Sequence, residues 1–69
     1  MDKVKINTEF IKLNQLLKWV NVVDSGGAAN HMIEEGLVKV NGDLETRKGR
    51  KIHTGDIVEV EQMGSFLIE

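Results

Sequence analysis

Residues 25–42 read SGGAANHMIEEGLVKVNG, and the period of their apolar residues changes halfway. In the first half Ala29, Met32 and Ile33 recur at helical spacing behind Asp24 and Ser25, either of which can cap a helix N-terminus. Glu34-Glu35 is followed by Gly36, where a left-handed residue closing a helix belongs. Beyond it Val38 and Val40 alternate with Lys39 and Asn41, the two-residue period of a strand. Asn41-Gly42 is the dipeptide best suited to a tight type I′ turn. The stretch therefore predicts a helix over 25–35 that gives way at Gly36 to a hairpin over 37–44.

Upstream, Leu13, Leu16, Leu17 and Val20 fall at i, i+3, i+4 and i+7, which predicts a first helix over 13–20. Trp19 lies beside that stripe, as a residue on the rim of the core does. Val4 and Ile6 alternate with lysines and Asn7, suiting an N-terminal strand. Downstream come Ile52, a turn at residues 53–56, and IVEVE, whose valines and glutamates point to opposite faces. A turn at Met63-Gly64-Ser65 leads into a last strand, FLIE. Two short N-terminal helices packed on a small, mainly antiparallel sheet make an α+β domain.

Length and composition narrow the function classes. Sixty-nine residues suit one domain over 1–69 with a barely sufficient core, and leave little room for an enzyme's cleft. With no cysteine there is neither a disulfide nor a thiolate metal site. His31 and His53 have no ligating side chain at metal spacing. No apolar run approaches the roughly 20 residues of a membrane span, and MDKVKINTEF lacks the apolar block of a signal peptide. The expectation is a cytoplasmic monomer with no cofactor, no small-molecule substrate and no membrane partner. Ser25 and Ser65 have no base-and-orienter partners, so catalysis has no support.

The pattern Ser25-x3-Ala29-x3-Ile33-x2-Gly36-x-Val38-x-Val40-Asn41-Gly42, followed by Gly55-Asp56-x-Val58-x-Val60, closely resembles the RNA-binding domain of the ribosomal protein S-four type, the alpha-L motif. The resemblance covers residues 12–60, and the flanking strands suit the short stand-alone bacterial members. It implies binding to structured RNA, often ribosomal, through the two helices and the loop beside them. It also implies a role in ribosome assembly or RNA quality control. Lys12 matches a frequently basic position of the family. Gln15 stands where lysine is frequent, and Gly26, Gly27 and Asn30 stand where basic residues are common.

Within that frame the run TRKGRK, residues 46–51, becomes the leading candidate for phosphate contact. Arg47, Lys48, Arg50 and Lys51 are four of the nine basic residues in a chain of net charge −2, and guanidinium and ammonium groups suit phosphate oxygens. The bland alternative is a solvated turn. Exchanging all four for glutamine is expected to weaken RNA binding while leaving melting almost unchanged. Glu59, Glu61 and Glu69 sit on the C-terminal strands, which can carry the negative charge on another face. At Ser25, Gly26 and Gly27, a helix N-terminus without side chains can admit a phosphate. The other reading is a capped turn that needs small residues where helices cross. Asn30, His31 and Lys39 are further candidate RNA contacts, each with plain exposure as its alternative, and Trp19 is a candidate for stacking on an unpaired base. Two competing functions also fit: a module whose basic loop docks an acidic protein, and a helix-turn-helix DNA binder. The latter's recognition helix would open Gly-Gly-Ala-Ala, which offers little to base edges.

Overall fold

The computed structural model describes all residues, 1–69. Helix α1 (Leu13–Trp19) turns Leu13, Leu16 and Leu17 wholly inward, and helix α2 (Gly26–Glu34) buries Ala29 and Ile33. Each fully buried leucine contributes roughly 1.5–3 kcal/mol of apolar burial. Val20 and Met32, on the edges of the two stripes, pack against this core while keeping some exposure. Both helices end within a residue of the expected bounds. Val20 is the C-cap of α1, and Ser25 and Glu35 are the caps of α2.

Seven short strands complete the chain: β1 (Asp2–Val4) and β2 (Phe10–Lys12) before the helices, then β3 (Val38–Val40), β4 (Asp43–Leu44), β5 (Lys51–His53), β6 (Ile57–Val60) and β7 (Gly64–Ile68). Five form one sheet in the order β1-β7-β6-β3-β4. All its pairs are antiparallel except β1 with β7. Val38, Val40, Val58, Val60, Phe66 and Ile68 supply its buried side chains. Lys39 and Glu59, opposite each other in register, alternate with those valines and face away. The expected α+β architecture is present, with two strands rather than one ahead of the helices.

Gly36 has φ +78°, and its N–H donates to Ile33 O at 3.1 Å while the Leu37 N–H donates to Met32 O at 3.2 Å. That pair of bonds is a Schellman closure, which satisfies carbonyls that the helix end would otherwise leave open. The hairpin turns where expected: Val40 pairs with Asp43, and Asn41 and Gly42 both have positive φ, 53° and 87°. Asn41 does more than turn. Its Oδ1 accepts from the Ile57 N–H at 2.9 Å and its Nδ2 donates to Asp56 Oδ1 at 3.0 Å, joining the hairpin to the start of β6. Burial would raise the Asp56 pKa. The His53 N–H, the Asn41 amide and the nearby cations outweigh it and leave the carboxyl below its ordinary value.

Strand β2 has no alternation of its own in the sequence. It forms by pairing with β5 in a separate two-stranded ribbon that sets Ile11 beside the fully buried Ile52. This ribbon leads directly into α1, and the remaining geometry depends on it.

Candidate nucleic-acid interface

The N-cap of helix α1 is Lys12, whose side chain makes no capping hydrogen bond. The basic loop fills that role with its backbone: the Leu13 N–H donates to Arg50 O at 2.8 Å, and the Asn14 N–H donates to Lys48 O at 3.0 Å. A helix start has N–H groups in need of acceptors, so the loop is held against α1 by bonds that do not depend on its side chains. One turn across, Asn14 Nδ2 donates to Asn30 Oδ1 at 3.0 Å and ties α1 to α2. Loop and helices are thereby one framed surface.

The loop's cations differ in their commitments. Glu45, only 5 % exposed, accepts at Oε2 from the Arg47 N–H (2.9 Å) and Nε (3.0 Å), and at Oε1 from Arg47 Nη2 (3.0 Å) and Arg50 Nη1 (2.9 Å). These bonds, those from Arg47 first and Arg50 next, hold the carboxyl far below the ordinary carboxylate range despite its burial. Arg47 keeps 73 % of its side chain exposed and Arg50 keeps 30 %. Both guanidinium groups are fixed from beneath by one carboxylate. Glu45 is not among the residues that the sequence singles out, although an acidic residue two places before a basic run is the available sign. Its presence corrects the expectation that neutralising the whole cluster would leave melting untouched, because two of the four cations are the partners of a buried charge.

Lys48 reaches Glu34 of α2, at 3.8 Å between exposed groups. Lys51 lies over the Phe10 ring, 4.9 Å from its centroid. In the ribbon it stands directly opposite Lys12. Neither Lys51 nor Lys12 is ion-paired. Like charges directly opposite across strands are destabilising, so this register costs the fold something and sets two unpaired lysines at one place in the ribbon.

At the other end of the helix pair, the Ala28 N–H donates to Ser25 Oγ at 3.1 Å. The N–H groups of Gly26 and Gly27 precede the first intrahelical bond. Neither glycine is crowded: a Cβ built on either meets nothing within 4 Å, and neither has a positive φ. Crossing helices therefore do not require these glycines. Alanine at both positions is expected to raise stability by roughly 0.5–1 kcal/mol each, read as a higher melting temperature. A lower one would mean that the glycines serve the fold.

The remaining candidates separate. Asn30 is engaged with Asn14, while His31 is exposed and 3.5 Å from Glu35 one turn on. Lys39 is not brought to the others. It faces away from the helices and lines a shallow hollow of about 510 Å³ with Glu59 and Glu61. The basic loop and these two glutamates consequently belong to different faces. No three His, Asp or Glu side chains converge to hold a metal ion.

The chain resembles known proteins over almost its whole length. The model of the S4 domain matches residues 4–69. The protein named "Probable ribosome maturation protein RlbA" of Bacillus subtilis (strain 168) is 45 % identical over 65 residues, which cover 94 % of this chain and 92 % of that relative. Two helices beside a mostly antiparallel sheet, a Gly36 closure running into the Asn41-Gly42 hairpin, and a family match over both helices and every strand after β1 lead to one assignment: this chain belongs to the S4 domain family.

Proposed function

We propose that this domain binds structured ribosomal RNA during maturation of the ribosome, acting as a non-catalytic cytoplasmic monomer. RNA binding follows from the family, and the ribosomal target is suggested by the name of the 45 % identical relative. The observation that carries the reading is the docking of residues 48–50 onto the start of α1. It places Lys12, Lys48, Arg50 and Lys51 around one helix end, with Arg47 and Arg50 braced by Glu45. Braced guanidinium groups lose less freedom when they meet a phosphate. The free N–H groups at Gly26 and Gly27 supply a second anion position on the same helix pair, and Asn30 and His31 lie one turn further along α2. Recognition of this kind reads backbone shape, since phosphate contacts position an RNA without specifying its bases.

The test leaves the Glu45 clamp alone. Lys12→Gln, Lys48→Gln and Lys51→Gln are combined, and binding to a ribosomal RNA fragment is titrated across salt concentrations. Affinity should fall, and the slope of log K against log salt should become shallower by roughly 0.7–0.9 for each phosphate that no longer meets an ammonium group, so about 2–3 in all. Melting should change little, because the Lys48–Glu34 pair is exposed and the Lys12–Lys51 pair is repulsive. The control, Glu59→Gln with Glu61→Gln on the other face, should bind equally or slightly better. An unchanged slope in the lysine variant would reduce the loop to a solvated turn. Equal competition by duplex DNA, or stronger competition by an acidic polypeptide, would favour the helix-turn-helix or protein-docking function instead.

A further inference from the structure

Trp19 does not sit on the rim of the core as its place beside the leucine stripe suggests. It is 61 % exposed, and it stands where two adjoining hollows meet. One, of about 390 Å³, is lined by Ile11, Gln15, Lys18 and Trp19. The other, of about 270 Å³, shares Ile11, Gln15 and Trp19 and continues to Ile6, Asn7 and Phe10. Lys18 is the cation in its lining, and beyond the lining the Phe10 ring at its far end carries Lys51 at 4.9 Å, which stands opposite Lys12 in the ribbon. Neither hollow is lined by an acidic side chain.

We propose that this groove holds an unpaired nucleotide of the bound RNA, its base stacked on the Trp19 indole and its flanking phosphates against Lys18 and the Lys12–Lys51 pair. The proposal rests on the RNA-binding reading above and extends it from the backbone to a base. Three properties select a nucleotide. An exposed indole is a stacking face that any base can use. The side-chain amides of Gln15 and Asn7 make no hydrogen bond within the protein and can meet the edge of a base. The lysines flanking an otherwise uncharged slot match the alternation of neutral base and anionic phosphate. A protein partner would call instead for a broader and more continuous apolar patch than two small hollows supply.

Trp19 is the chain's only tryptophan and there is no tyrosine, so its fluorescence reports this groove without a label. Two RNA hairpins are compared, one fully paired and one identical except for a single bulged adenosine. The bulged RNA should quench Trp19 emission and bind more tightly, by roughly 5- to 150-fold for one stacked base. In Trp19→Ala, followed by labelled RNA, that preference should vanish while affinity for the paired hairpin stays as in wild type. Trp19→Phe should retain part of the preference. Because the indole lies outside the core, Trp19→Ala should melt close to wild type, which separates lost recognition from lost folding. Equal binding of both hairpins by wild type without quenching overturns the nucleotide site and leaves RNA binding standing. Binding of neither hairpin overturns both. Concentration-dependent self-association that Trp19→Ala abolishes would mean that the groove is covered by a second copy, and would also overturn the proposal.

Discussion

Replacing Arg47 and Arg50 together with alanine is expected to lower the melting temperature by roughly 10–20 °C. Glu45 is almost wholly buried, and three of the four N–H groups it accepts belong to those two guanidinium groups. Removing one side of a buried ion pair costs roughly 3–5 kcal/mol, and one kcal/mol moves the melting point of a domain this size by about 4–8 °C. The lower part of that range applies because Arg47 is largely exposed. The sign of the pH dependence gives a sharper test. In wild type the Glu45 carboxyl is held below its unfolded value of about 4.3. Its contribution is therefore complete above that pH and is lost as pH falls through the folded value. In the double variant the same carboxylate is buried without cations, its pKa rises, and its penalty is relieved on acidification. The stability gap between the two proteins should thus narrow from pH 7 to pH 4. Adding Glu45→Met to the double variant should recover much of the melting temperature, since an apolar side chain suits the vacated site. A double variant that melts like wild type would mean that the clamp contributes nothing to folding.

Gly36→Val should destabilise the domain by roughly 2 kcal/mol, with a melting temperature lower by about 8–16 °C. At φ +78° a β-branched residue is strained by about 1–2 kcal/mol. The first added carbon would lie 3.7 Å from Leu44 Cδ1, an ordinary contact with an exposed side chain, so the cost is in the backbone rather than in crowding. Gly36→Asn, which tolerates the left-handed region, should lose much less. Equal melting of the valine and asparagine variants would remove the φ requirement as the reason for glycine here.

Much of this fold is legible in the sequence because it rests on local rules. The stripe of Leu13, Leu16 and Leu17, the switch of period at Gly36 and the Asn41-Gly42 turn each concern residues within a few positions of one another. Strand β2 is not legible. FIK carries no alternation, and it becomes a strand only because β5, some forty residues later, is beside it. Asn41 is legible as a turn residue, whereas its bonds to Asp56 and Ile57 exist only because two turns meet in space.

The candidate site divides in the same way. By itself the sequence determined two short helices and a basic run, because charge and periodicity are properties of neighbouring residues. The place of that run beside the helices was implied by the family resemblance and is made by the bonds of Arg50 O and Lys48 O to the start of α1. Tertiary structure decided what each cation does. It set Glu45 under Arg47 and Arg50, faced Lys51 with Lys12 over Phe10, carried Lys39 to the other face of the sheet, and left Trp19 standing out from the core. The physical reason is that a charge acts through the distances and burial around it, and those belong to contacts between distant parts of the chain.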